Sequence, residues 1–183
     1  MKISSYTEVM KKLFLAIFLS TAFYPTLARA EIYLKPALLY LRSKGSSPNA
    51  SQTIIIDVAA GKLTDKNWVY GLIYQSDKSA IFQSPIADRT SYGISIGKVS
   101  AKDVGPFFIG HLFPYSVDGQ KIYQGMGLQG DLGVKVALRK YALTVQLSYK
   151  YYSYKRSATA QFTGPEEISE SRLDPMIGIF LRF

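Results

Sequence analysis

Residues 141–154, YALTVQLSYKYYSY, alternate between two kinds of side chain. The odd positions from Tyr141 to Tyr151 are apolar or aromatic, and the even positions from Ala142 to Lys150 are small or polar. A period of two places one set of side chains on each face of a β-strand. The stretch predicts a long strand, because strands of soluble sheets most often have about 5 to 6 residues.

The rest of the chain after residue 30 follows the same pattern. Residues 126–138 alternate with the opposite parity, and Arg139 and Lys140 predict a tight turn before residue 141. Weaker alternation predicts six more strands, at residues 32–42, 53–60, 67–75, 91–99, 105–115 and 172–183. In residues 105–115 the adjacent Phe107 and Phe108 leave the parity open, and with it the direction of His111. The sequence therefore predicts a single all-β domain of eight strands.

The connections between these strands differ in length in a regular way. Residues 61–66, 100–104 and 139–140 are short, whereas residues 43–52, 76–90, 116–122 and 155–171 are mostly longer and polar. Short and long connections alternate along the chain. This order predicts antiparallel neighbours, with short turns at one end of the fold and four long loops at the other.

The first thirty residues have the features of a cleavable signal peptide. Lys2, Lys11 and Lys12 precede an apolar run at residues 13–22, which is too short for a comfortable transmembrane helix. Residues 28–30, Ala-Arg-Ala, match the small-residue pattern of a cleavage site. We expect cleavage after residue 30 and secretion across an inner membrane. The alternative is a retained N-terminal anchor.

Composition excludes several classes of protein. The 183 residues include no cysteine and one histidine, so disulfides, thiolate metal sites and multi-histidine metal sites are excluded. The mean hydropathy of +0.04 is too low for a polytopic helical membrane protein. The leader holds four of the 22 basic residues and one of the 13 acidic residues, which leaves 18 against 12. The mature chain therefore has a net charge of +6 rather than +9.

Alternation alone does not say which face meets water, since a soluble sheet buries its apolar face and a membrane barrel exposes it to lipid. The long strands, the modest charge on the polar faces and the aromatic residues near strand ends favour the barrel. A tyrosine there keeps its ring in lipid and its hydroxyl among headgroups. The candidate membrane-interface aromatics are Tyr40, Trp68, Tyr74, Tyr92, Tyr141, Tyr149, Tyr151 and Phe183.

The C-terminal residues, IGIFLRF, place apolar side chains at every second position. These positions, Ile177, Ile179, Leu181 and Phe183, resemble the C-terminal signal strand of bacterial outer-membrane barrels, which the barrel assembly machinery reads. With the leader, the absent cysteine and the eight alternating strands, the chain resembles the small OmpA/OmpX-type eight-stranded barrels.

The resemblance implies an eight-stranded antiparallel up-and-down transmembrane β-barrel over residues 31–183, in the outer membrane of a Gram-negative cell. We expect the strand that begins at Ile32 to pair with the strand that ends at Phe183, because unpaired backbone groups in lipid are costly. The N-terminus and short turns would then lie in the periplasm and the long loops outside. The implied partners are outer-membrane lipids, lipopolysaccharide and the assembly machinery, for a monomeric protein that binds no nucleic acid.

Several predicted inward faces carry polar side chains that would meet in the lumen. These are Lys35, Asp57, Gln129, Asp131, Lys135, Gln146, Lys150 and Arg182. An eight-stranded barrel has an interior just wide enough for side chains to fill, so buried charges there must be paired. We expect a polar network that holds the barrel shut. The alternative is a narrow, porin-like pore.

Catalysis, metal binding and cofactor binding find little support. Some barrels of this size modify lipid A with a histidine and a serine, but here Phe113 lies two residues after His111. We expect His111 to be a lumen or interface residue whose hydrogen bonds are satisfied, and we predict no catalytic residue, cofactor or metal site. Glu166, Glu167 and Glu170 lack the spacing of a calcium loop and predict a solvated, mobile segment.

The long loops are the remaining candidates for function. Four basic residues in or near them could contact anionic lipopolysaccharide, namely Lys44, Lys78, Arg89 and Lys121. We expect a structural or interaction role, through envelope stabilisation or loop-mediated binding. The alternatives are a barrel enzyme that modifies lipid A or phospholipid, a narrow pore, and a soluble lipocalin-like carrier.

Overall fold

The computed structural model describes residues 31–42, 52–79, 88–118, 123–139, 141–156 and 166–183. Residues 1–30, with the predicted signal peptide, lie outside the described residues. Within the described ranges, no helix is long and apolar enough to cross a membrane. These ranges contain eight strands, β1 (Glu31–Arg42), β2 (Gln52–Leu63), β3 (Trp68–Ser79), β4 (Asp88–Val99), β5 (Val104–Asp118), β6 (Tyr123–Leu138), β7 (Tyr141–Arg156) and β8 (Glu167–Arg182).

The strands form one closed antiparallel barrel in which each strand pairs with its neighbours in chain order. β1 and β8 close the barrel, and Ile32 and Phe183 exchange two backbone hydrogen bonds of 3.1 and 2.9 Å. The predicted eight-stranded antiparallel barrel is confirmed, as is its closure by the first and last strands. Closure removes the sheet edges whose backbone groups would otherwise remain unpaired.

Three tight connections define one end of the barrel, which we call the short-turn end. They follow β2, β4 and β6, and their described residues are 64–67, 100–103 and 139. Asn67 and Arg139 adopt positive φ angles of 62° and 53° there, as tight hairpin turns require. The opposite end, where β1 ends and β2 begins, is the long-loop end. The predicted long loop at residues 116–122 is a correction, because β5 continues to Asp118 and β6 begins at Tyr123.

Most strands extend further toward the long-loop end than the sequence predicted. β4 begins at Asp88 instead of residue 91, β8 begins at Glu167 instead of residue 172, and β3 continues to Ser79. The predicted loops at residues 76–90 and 155–171 are therefore partly strand. The reason is that polar residues at these strand ends, such as Asp77 and Arg89, pair with one another inside the barrel.

Side chains alternate between the barrel interior and its outer surface, as in β7, where buried and exposed positions alternate from Tyr141 to Lys155. In β5 the structure resolves the open parity, since Phe107 and His111 point inward and Phe108 points outward. A bulge between Phe113 and Ser116 then shifts the register against β6. Pro114 lies in this bulge, where its missing N–H group does not interrupt the ladder.

The interior is filled by side chains in two kinds of layer. Near the short-turn end it is apolar, with the Tyr33 and Phe180 rings stacked at 5.3 Å and Leu63, Val99 and Ala142 buried in the same cluster. From the middle to the long-loop end it is mostly polar. The fold therefore gathers charged groups from distant strands into one column.

Candidate functional site

Asp131 lies at the centre of the polar interior and is fully buried. Its Oδ2 accepts hydrogen bonds from Lys35 Nζ at 2.9 Å and from Gln146 Nε2 at 2.9 Å, and it lies 3.1 Å from His111 Nε2. Its Oδ1 accepts a bond from Gln129 Nε2 at 2.8 Å. One carboxylate thus joins side chains from β1, β5, β6 and β7.

Asp57 is the second buried acceptor, one layer closer to the long-loop end. It accepts from Gln75 Nε2 at 2.8 Å and from Gln129 Nε2 at 2.9 Å. Lys150 Nζ lies 3.3 Å from Asp57 and 3.7 Å from Asp174. Because Gln129 binds both Asp57 and Asp131, the two layers form one continuous network.

Arg89 is the centre of a third layer, at the long-loop end. Its guanidinium lies 3.3 Å from Asp118 and 3.5 Å from Asp77, and it also pairs with Glu170. The same group lies 4.1 Å from the centre of the Tyr152 ring, within the range of a cation–π contact. The side chain is 4% exposed, so these partners replace its hydration.

Arg172 completes this layer. It pairs with Asp77 and Asp174, the latter at 2.9 Å, and lies 3.8 Å from Glu170. Carboxylates and guanidinium groups from β3, β4, β5 and β8 therefore meet across the bore. In this arrangement each charge of the layer has a partner of opposite sign, which satisfies the requirement for burying ions.

Ser95, His111 and Asp131 form a row with the chemistry of a nucleophile, a base and an acid. Ser95 Oγ lies 2.7 Å from His111 Nδ1, and His111 Nε2 lies 3.1 Å from Asp131. Sequence reasoning missed this row because its members lie on three strands. Ser95 is 5% exposed and His111 is 4% exposed, so a substrate has no path to the hydroxyl in this conformation.

Seven of the eight predicted lumen residues have buried side chains, namely Lys35, Asp57, Gln129, Asp131, Lys135, Gln146 and Lys150. Six of them join the network around Asp57 and Asp131, whereas Lys135 lies apart near the short-turn end. The prediction that Arg182 belongs to the lumen network is wrong, because its side chain is half exposed and lies 3.8 Å from Glu31. The position has inward parity but is at the very end of β8, where the barrel opens to solvent.

The sequence did not identify several interior polar residues, namely Gln75, Asp77, Arg89, Asp118, Arg172 and Asp174. The sequence predicts Arg89 and Glu170 in loops, and both predictions are wrong, because these residues lie in β4 and β8. The alternation of the sequence could have identified Asp77 as an inward residue, because it lies two residues beyond Gln75 and therefore on the same face of β3. Strand ends rich in polar residues are indistinguishable from loops by composition alone.

The outer surface of the barrel has a wide apolar zone, which we call the outer belt. It consists of the outward-facing side chains of residues 32–40, 54–60, 68–74, 92–96, 104–112, 126–138, 141–151 and 173–183. None of the outward-facing side chains in these ranges is charged. Charged residues bound the belt, with Lys62 and Lys98 toward the short-turn end and Lys78 and Lys155 toward the long-loop end.

The eight predicted interface aromatics all point outward and are at least 38% exposed. Tyr74, Tyr92 and Tyr115 form a row across β3, β4 and β5, with ring centres 5.3 and 6.3 Å apart. At the opposite edge, Trp68 lies near Tyr70, and Lys98 Nζ lies 5.8 Å from the centre of the Trp68 ring.

The other tyrosines include a group that points inward, namely Tyr33, Tyr123, Tyr152 and Tyr154. The four predicted assembly-signal residues lie along the outward face of β8 and at its end.

The predicted loop features are only partly described. Lys44 and Lys121 lie outside the described residues, whereas Lys78 is exposed at the end of β3. Glu167 lies 2.9 Å from Lys155 beyond the outer belt, and its hydrogen bond raises the pKa of the lysine. Both side chains are at least 70% exposed, so this pair stabilises the barrel little.

No group of histidine and carboxylate side chains among the described residues is arranged to hold a metal ion. No protein family model and no curated protein matches this chain.

Proposed function

We propose that this protein is an integral outer-membrane barrel with a structural or interaction role in the cell envelope. The outer belt is the observation that carries the proposal. Outward side chains of β7 from Tyr141 to Tyr151 are 41% to 64% exposed and uniformly apolar or aromatic. An apolar surface that encircles a barrel far exceeds the patches that monomeric soluble proteins expose.

The dimensions of the outer belt suit a bilayer. Ten residue steps from Tyr141 to Tyr151 span about 33 Å along the strand, and a tilt of about 40° reduces this to about 25 Å. That height is the usual one for the apolar band of outer-membrane barrels. The tyrosine row at one edge and Trp68 at the other fit the two headgroup regions.

The paired charges of the interior favour a barrel whose bore is closed, rather than one that contains an open pore. A porin-like channel needs a continuous wet bore, and eight strands leave an interior that side chains fill. Asp57, Asp131 and Arg89 each bind partners across that interior. We therefore propose that the protein does not conduct, and that its contacts with lipopolysaccharide or other partners are made by the long-loop end.

Membrane fractionation with heat-modifiable electrophoresis tests the proposal. The protein should be recovered in the outer-membrane fraction and should migrate differently in SDS before and after boiling, because a closed barrel resists SDS until heated. Recovery in the soluble periplasmic fraction would instead support a lipocalin-like carrier. In planar bilayers we expect no conductance; a conductance that rises in Asp131→Asn with little loss of stability would support a gated pore.

A lipid-modifying enzyme is the second candidate, and the Ser95–His111–Asp131 row is the observation that favours it. The burial of Ser95 and the Lys35 and Gln146 bonds to Asp131 argue against it. Mass spectrometry of envelope lipids from a deletion strain decides the point. We expect lipid A and phospholipids of unchanged mass, and a mass change restored by the wild-type gene but not by Ser95→Ala would establish the enzyme.

A further inference from the structure

Lys135 differs from the other buried cations of the barrel interior. Its side chain is 6% exposed, and its Nζ donates a 2.9 Å hydrogen bond to the backbone carbonyl of Lys102. Lys35, Lys150 and Arg89 are also buried, and each has a carboxylate within 3.5 Å. No carboxylate of the described residues lies within 4 Å of the Lys135 ammonium group. A buried charge is unfavourable without an opposite charge nearby, and none of these carboxylates forms a direct ion pair with Lys135.

Lys135 lines a small cavity of about 20 Å³ at the short-turn end, together with Arg139 and Arg182. Arg182 interacts unfavourably with the Lys135 charge, and Asp103 offsets this to a smaller extent. Glu31 lies 3.8 Å from Arg182 and is half exposed. Lys135, Arg139 and Arg182 therefore line one cavity, and nearby carboxylates compensate their positive charge only weakly.

The position of Arg139 adds to this pattern. Its φ angle of 53° lies in the left-handed region, where glycine and asparagine are preferred in such turns. Arginine at this position adds a cation to the lining of the cavity, although this turn conformation favours glycine or asparagine. Among the described residues, Arg139 has no carboxylate partner.

Leu63, Val99 and Phe180 contribute apolar side chains to the lining of the cavity, and Asn67 and Ser100 also line it. Its volume accommodates about one water-sized group. A ligand would thus insert one oxygen, while the rest of the molecule stays outside the cavity. An oxyanion meets this requirement and supplies the missing negative charge.

We propose that this cavity binds a phosphate-type oxyanion through Lys135, Arg139 and Arg182. At neutral pH a phosphate monoester carries a charge of about −1.5 to −2, which offsets the excess of positive charge that Lys135, Arg139 and Arg182 have over Glu31 and Asp103. Arginine pairs with phosphate through parallel hydrogen bonds, and lysine contributes a point charge. The same chemistry is available from a free phosphate and from a phospholipid headgroup. The proposed anion site is independent of the proposed function, because the residues that form it lie at the short-turn end of the barrel and would be there in any surroundings.

Titration of the folded, full-length mature barrel with inorganic phosphate tests the site. The barrel is held in a maltoside detergent, which contains no phosphate, with ionic strength held constant by sodium chloride and binding followed by phosphorus NMR line width. We expect saturable binding to the wild type that weakens at least about tenfold in Lys135→Gln and in Arg182→Gln, since each variant loses a charged hydrogen-bond donor. Lys66→Gln is the matched control, because Lys66 is exposed in the β2–β3 turn at the same end.

Competition experiments in lipid nanodiscs distinguish a phospholipid headgroup from free phosphate as the natural ligand. If the natural ligand is a headgroup, phosphatidylglycerol in the disc should compete with free phosphate, and phosphatidylcholine, whose net charge is zero, should compete less. If it is a free phosphate, neither lipid should compete. Non-saturable broadening in the wild type, or equal binding by wild type, Lys135→Gln and Lys66→Gln, would overturn the site. Arg182→Gln keeps the test valid if Lys135→Gln does not fold, since Arg182 is half exposed.

Discussion

Asp131 is the residue on which four interior polar side chains converge. It is fully buried and binds Lys35, Gln129 and Gln146. Removal of its charge would leave the Lys35 ammonium buried beside neutral groups. Breaking a buried ion pair by removing one partner costs far more than the net contribution of the pair, because the remaining charge loses its compensation.

We predict that Asp131→Asn lowers the free energy of unfolding by about 3–5 kcal/mol. Urea unfolding in lipid vesicles, followed by the fluorescence of Trp68, the single tryptophan of the chain, measures this change. The double variant Lys35→Met with Asp131→Asn is the matched control and should recover part of the loss, because it removes both charges. Equal stability of the single and double variants would contradict an electrostatic role for the pair.

At the scale of the strand, β8 has two roles that are separable by experiment. Its backbone closes the barrel, since the N–H and C=O groups of Phe183 bond to those of Ile32. Its outward side chains, Ile177, Ile179, Leu181 and Phe183, are the proposed assembly signal. The Phe183 ring is 72% exposed, so it contributes little to packing within the barrel.

We therefore predict that Phe183→Ala refolds into lipid vesicles as well as the wild type but reaches the outer membrane of cells in smaller amounts. The backbone hydrogen bonds survive the substitution, whereas the aromatic side chain of the proposed assembly signal is lost. Refolding yield and outer-membrane yield are measured in parallel, with Leu173→Ala, on the outward face of β8 nearer its other end, as the control. Equal outer-membrane yields of the two variants would refute the signal.

At the scale of the whole molecule, the barrel buries a column of polar and charged side chains and exposes a wide surface of apolar side chains. Lys150 is fully buried, whereas Val145 on the same strand is 64% exposed. A soluble protein would reverse this arrangement, because apolar burial drives its folding. The inverted arrangement is stable when the surroundings are lipid and the interior charges are paired.

We predict that Val145→Arg lowers the free energy of unfolding in lipid vesicles by about 2–4 kcal/mol, the cost of a cation near the middle of the bilayer. Ser153→Arg is the matched control on the same face of β7, beyond the outer belt, and should change stability by no more than about 1 kcal/mol. Exposed substitutions in a soluble protein are usually neutral. Equal stability of both variants would therefore contradict a membrane location.

The local alternation of the sequence predicted the strands and most of their inward and outward faces, because a period of two is a property of neighbouring residues. The resemblance to outer-membrane barrels predicted the closure, because two unpaired strand edges are costly in lipid. The strand ends near Arg89 and Glu170 were not predictable, since a polar strand end has the composition of a loop. The candidate anion cavity was also missed, because Lys135, Arg139 and Arg182 come together only when β6 and β8 reach the same end of the barrel.

The sequence by itself determined that the chain is an all-β protein whose strands have one apolar and one polar face. Only the tertiary structure decided which polar groups meet, since Lys35 and Asp131 are 96 residues apart and Lys150 and Asp57 are 93 apart. The physical reason is that the periodicity fixes the direction of a side chain relative to its own strand. The closed circle of strands and their register fix the partners across the bore.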